Sequence, residues 1–121
     1  MLPLSNDLDS LLDQAVSMNL YAQLLVQIQK DFGLANTPIF IKTDCTPEDL
    51  KNILLDKVFN LISHRFDDYL NVLYMMDVSE QEVKKLSGHD LPLMSQEVVF
   101  LLLKREWKKV WFRNYYKNKT L

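Results

Sequence analysis

Few side chains in this sequence could carry chemistry. They are Cys45, His64, His89 and the pair Asp67-Asp68 with Asp77 nearby. A zinc site needs three or four ligands at fixed geometry. The cysteine and the two histidines show no ligand-like spacing, so no metal is expected. Cys45 and His64 could act as a nucleophile and its base only if folding brings them together. Cys45 stands just ahead of a helix start, where thiol pKa values are lowered. That keeps a thiol-dependent enzyme or redox sensor as one alternative, against the commoner case of a structural cysteine. On a helix, Asp67 and Asp68 point about 100° apart and do not share a face. They suit ion pairs better than acid–base catalysis: His64–Asp67, His64–Asp68 and Arg65–Asp68. With only Gly33 and Gly88 available, no glycine-rich phosphate loop can be written. No cofactor and no small-molecule ligand is implied, and a protein without enzymatic activity is expected.

The chain ends differently. Lys104 to Lys119, KREWKKVWFRNYYKNK, mixes basic and aromatic residues almost one for one. Projected at about 100° per residue, Phe100, Leu103, Trp107, Val110 and Trp111 fall in one apolar sector. Both tryptophans are therefore expected in the core. Lys104, Arg105, Lys108 and Lys109 share the other half with Phe112, Tyr115 and Tyr116. A helix with three aromatics outside its stripe is either buried on two sides or offers a contact surface. Lys104, Arg105, Lys108, Phe112, Tyr115 and Tyr116 are the candidate partner-binding residues. Aromatics with cations suit single-stranded nucleic acid and equally a protein interface. Charge favours the protein. Residues 1–103 hold 7 of the 14 Lys and Arg but 15 of the 16 Asp and Glu, a balance of −8. The basic tail, about 104–121, stands at +6. An acidic body repels phosphates, so nucleic acid is the alternative and a protein partner or self-association the expectation.

The elements that must position these residues read as helices. At 121 residues and 48% hydrophobic, the chain fits one domain with its own core. Two glycines and four prolines are too few for the turns of an all-β domain. One cysteine fits a reducing compartment. An acidic N-terminal stretch does not read as a signal peptide, and the longest apolar run, Val98 to Leu103, is too short to span a bilayer. A cytoplasmic protein without a membrane segment is expected. Asn118-Lys119-Thr120 matches a glycosylation sequon, read here as chance.

Helix starts are expected near Ser5, Thr46, Ser79 and Ser95. Ser5-Asn6-Asp7 is a cluster of capping residues ahead of a long helix, bent near Ser17-Met18-Asn19 and closed by Gly33. Pro38 biases residues 37–43 toward an extended connection, with Ile39, Phe40 and Ile41 packing on helices. No second strand is visible in the chain, so any strand partner lies in another subunit. Thr46-Pro47-Glu48-Asp49 is a strong helix start, with a break expected near Ser63. Met75-Met76 reads as core filler. Ser79 and Glu82 form a capping box before a short helix ending at Gly88. Pro92 falls in a loop, and Ser95 caps a last helix from about Gln96 to Tyr116. The fold class is all-α: a single-domain bundle of about four to six helices over residues 1–121.

Two further patterns bear on function. Asp77 to Leu86 superficially resembles the turn and second helix of a helix-turn-helix. The end that would meet base edges carries Glu80 and Glu82, which repel phosphates. Within Leu70 to Leu86, Leu73-Tyr74 and Asp77-Val78-Ser79-Glu80 resemble a segment of small uncharacterised all-helical bacterial proteins, with an LLY run before an I-D-V-S/P-E turn. Met75-Met76 depart from that pattern. The resemblance covers about a seventh of the chain and implies a helical cytoplasmic protein with no assigned activity and no site residues.

Overall fold

The computed structural model describes residues 7–119, with six helices and no strand among them. They are α1 (Leu8–Ser17), α2 (Tyr21–Leu34), α3 (Pro47–His64), α4 (Phe66–Met75), α5 (Glu80–Lys84) and α6 (Leu91–Lys119). The all-α expectation holds. The capping cluster falls partly outside the described residues, since Ser5 and Asn6 lie there. Within them Asp7 caps α1, accepting the Ser10 N–H at 2.8 Å.

Two starts form as the sequence requires. Thr46 accepts from Asp49 N–H at 3.1 Å and Asp49 from Thr46 N–H at 3.4 Å. Ser79 and Glu82 repeat this reciprocal pair at 3.2 and 3.0 Å. Each pair satisfies two N–H groups that a helix start leaves unbonded. The start of α6 differs from expectation. Asp90 caps it, accepting from Leu93 N–H at 3.0 Å. Pro92 sits in the first turn, where a missing N–H costs nothing. Ser95 lies inside the helix, its hydroxyl donating to the Leu91 carbonyl at 2.9 Å.

Helix ends also differ. Gly33 does not close α2, which runs on to Leu34. Asn36 takes the left-handed conformation instead, at φ 62°, as Asn19 does at 58° after α1 and Asp77 at 60° after α4. At each end the next residue's N–H reaches back five residues: Leu20 to Ala15, Thr37 to Phe32, Val78 to Leu73. This is the Schellman arrangement, and short polar side chains tolerate its positive φ better than most. The Asn19 closure makes a full break between α1 and α2 where only a bend was expected. The break after α3 falls at Arg65, two residues past Ser63. The Arg65–Asp68 pair forms at 2.6 Å, whereas neither His64 pair does among the described residues, because the break separates His64 from α4. The short helix α5 stops at Lys84, ahead of Gly88.

The last helix is the hub, packing against α1, α2 and α3, while α4 packs on α2 and α3. Trp107, Val110 and Trp111 are buried as expected, and so are Val98, Val99, Leu102, Leu103 and Glu106. The buried arc therefore covers more than half of α6. Met76 is core; Met75 is exposed. In the 37–43 connection Ile39 and Ile41 are buried, but Phe40 points outward.

Candidate partner-binding surface

The basic residues of α6 divide by register. Arg105, Lys109 and Arg113, four residues apart, lie beside the body. Arg105 pairs with Asp77, and Arg113 donates to Gln27 Oε1. Lys109 Nζ lies 2.6 Å from Asp31 Oδ2 and 3.1 Å from Glu106 Oε2. Three of the tail's seven basic residues are thus tied to carboxylates or an amide beside them. Lys109 must be desolvated to reach them, yet the two acids outweigh that cost and raise its pKa.

Glu106 is the residue that the projection of the sequence passed over. It lies on the buried arc, with 0% of its surface exposed. Both of its carboxyl oxygens are buried without a hydrogen-bond donor, because the approach of Lys109 is an ion contact lacking hydrogen-bond geometry. Burial, and then the neighbouring Asp31, push its pKa up to about 8. For Asp31, burial works against ionisation. The adjoining Glu106 carboxyl and the hydrogen bonds from Lys109 and Gln27 overcome it and leave the pKa lowered. The two shifts run in opposite directions and favour Glu106 over Asp31 as the protonated partner. An acid at 106, between Leu102 and Val110 in an apolar register, was the visible signal.

The opposite side of α6 carries the candidate residues. Lys104, Lys108, Phe112 and Tyr116 follow one another at four-residue intervals, a line of about 18 Å that begins beside Phe100 at the edge of the buried arc, with Phe100 and Phe112 half-buried against the core. Lys104 Nζ stands 5.2 Å from the Phe100 ring centre, and Phe112 stacks with Tyr116 at 5.9 Å. Tyr115 is half-buried, stacked on Trp111 at 5.1 Å. Lys104 and Lys108 are exposed and form no ion pair among the described residues; Tyr116 is 57% exposed. Five of the six candidates thus border one outward strip. Arg105 sits at its edge, engaged with Asp77.

Cys45 lies elsewhere, between the 37–43 connection and α3. It is 7% exposed, its thiol donates to the Thr46 carbonyl at 3.5 Å, and burial pushes its pKa up. An activated nucleophile needs the opposite shift. Tyr21 donates to the Cys45 carbonyl at 2.7 Å, and burial raises the tyrosine pKa. Among the described residues no three His, Cys, Asp or Glu side chains are placed to hold a metal. No helix among them is long and apolar enough to cross a membrane. No family model, curated protein or solved structure matches the chain.

Proposed function

We propose that this is a non-enzymatic interaction protein of the cytoplasm that binds an acidic, partly apolar protein surface through the outward strip of α6. The observation that carries this reading is the division of the basic residues. Arg105 and Lys109 pair with acids and Arg113 bonds the Gln27 amide beside the body, whereas Lys104 and Lys108 form no ion pair among the described residues and lie beside Phe112 and Tyr116. Tyr116 is exposed and Phe112 half-buried beside it, and aromatic residues are enriched at protein interfaces, while the two lysines supply charge complementary to an acidic partner. A second copy is one source of such an acidic surface, since residues 1–103 carry a balance of −8. The raised thiol pKa of Cys45 gives the enzyme alternative no support.

The test compares two labelled probes by fluorescence anisotropy: a synthetic acidic amphipathic helix and a single-stranded oligonucleotide. The acidic helix should bind, with an affinity that falls only modestly with salt. Tighter binding of the oligonucleotide, with the steep salt dependence of phosphate neutralisation, would replace this reading by a nucleic-acid one.

A further inference from the structure

Between α2 and α3, residues 37–42 alternate strictly between buried and exposed. Period two is the mark of an extended chain, here in a fold that provides no partner strand among the described residues. Phe40 is 87% exposed, the highest of the large apolar side chains described. Its backbone is equally unoccupied. Thr37 N–H donates to Phe32, Ile41 N–H donates to Gln29 Oε1 at 3.0 Å, and the Lys42 carbonyl accepts from Cys45 N–H. Phe40 N–H, Phe40 C=O and Lys42 N–H have no partner among the described residues.

Backbone groups of alternate residues point to the same edge of a strand. Ile41 N–H points to Gln29 on α2, so Phe40 and Lys42 present theirs on the other edge. The Pro38 carbonyl shares that edge, where Lys57 of α3 approaches it at 3.4 Å. The free edge therefore faces α3. A hollow of about 360 Å³ lies there, lined by Phe40, Lys42, Asp44, Asp49, Asn52 and Ile53 together with Cys45.

We propose that this cleft accepts an extended segment of another protein chain as an added strand. Phe40 N–H and C=O and Lys42 N–H supply the ladder bonds. Side chains two apart on a strand share a face, so an apolar residue of the guest meets Ile53 and Phe40 while a Lys or Arg two positions on meets Asp44 and Asp49. Pro38 and Lys42 at the ends of the edge are residues that limit unrestricted edge pairing, so a short guest is favoured over an open-ended stack.

The experiment pans a phage-displayed library of seven-residue peptides against the folded protein and measures the recovered peptides by anisotropy and amide hydrogen exchange. Recovered peptides should carry an apolar-x-basic pattern and slow exchange at Phe40 and Lys42. Phe40→Pro, which removes one ladder donor from an exposed position, should weaken them by roughly tenfold or more with an unchanged circular dichroism spectrum. Asp44→Asn should relax the demand for a basic residue. If no recovered peptide depends on Phe40, or the peptides leave those two amides unprotected, the cleft is not a strand-docking site.

Discussion

Glu106 reaches no water and no well-placed donor, so its protonation state is part of the packing of α6. A proton on it removes a buried charge and gives it something to donate toward Asp31. In the unfolded chain its pKa returns to about the ordinary 4.5, against about 8 in the fold. Between those values the folded state holds a proton that the unfolded state has lost. Stability from this residue therefore falls as pH rises from about 4.5 to about 8, at about 1.4 kcal/mol per pH unit at most. Asp31 acts in the opposite sense: with its pKa lowered, it contributes above its ordinary value and loses that contribution as pH falls through the lowered one. Glu106→Gln keeps the shape and removes the titration. Urea unfolding between pH 5 and 9 should show the wild type losing ground with rising pH and the Gln variant holding flatter, so that the variant is the more stable at pH 9. Parallel curves would mean that Glu106 is ionised in the fold.

At the scale of elements, starts were legible in the sequence and ends were not. Thr46-Pro47 and Ser79-x-x-Glu82 are local devices whose partners lie three residues away, so the sequence contains the whole interaction. Asp90 was passed over because Pro92 and Ser95 offered a later start, although Pro suits a first turn. Ends are less legible because Gly33 is the residue that best suits a positive φ, whereas Asn19, Asn36 and Asp77 take it. Gly33 sits instead in the last turn of α2, with nothing within 4 Å of an added Cβ. Gly33→Ala should stabilise the fold by about 0.5–1 kcal/mol, by restricting the unfolded chain. Asn36→Ala should destabilise it by about 1 kcal/mol, because alanine lacks the short polar side chain that lets asparagine tolerate positive φ. Chemical denaturation reads both, and a destabilising Gly33→Ala would show that α2 ends where the glycine stands.

Over the whole molecule, the bipolar charge distribution was plain from the sequence, but its internal settlement was not. Which cations turn inward depends on where Asp31, Asp77 and Gln27 arrive, from positions 28 to 86 residues away from their partners. The buried arc of α6 likewise exceeds the sector marked by Phe100 to Trp111, because three helices rather than one pack on it. The outward strip survives that wider burial, with Lys104, Lys108 and Tyr116 exposed. Trp107→Ala marks the core limit, where truncating a buried tryptophan costs about 3–5 kcal/mol. Loss of the Phe112–Tyr116 stack should cost far less, about 1 kcal/mol. The most direct measurement is the affinity of folded Phe112→Ala/Tyr116→Ala for the acidic amphipathic helix. The double variant should unfold near the wild-type midpoint and bind roughly tenfold or more weakly, a larger loss than Lys104→Ala or Lys108→Ala alone produces. Unfolding as ready as that of Trp107→Ala, or unchanged binding by the folded double variant, would contradict the account.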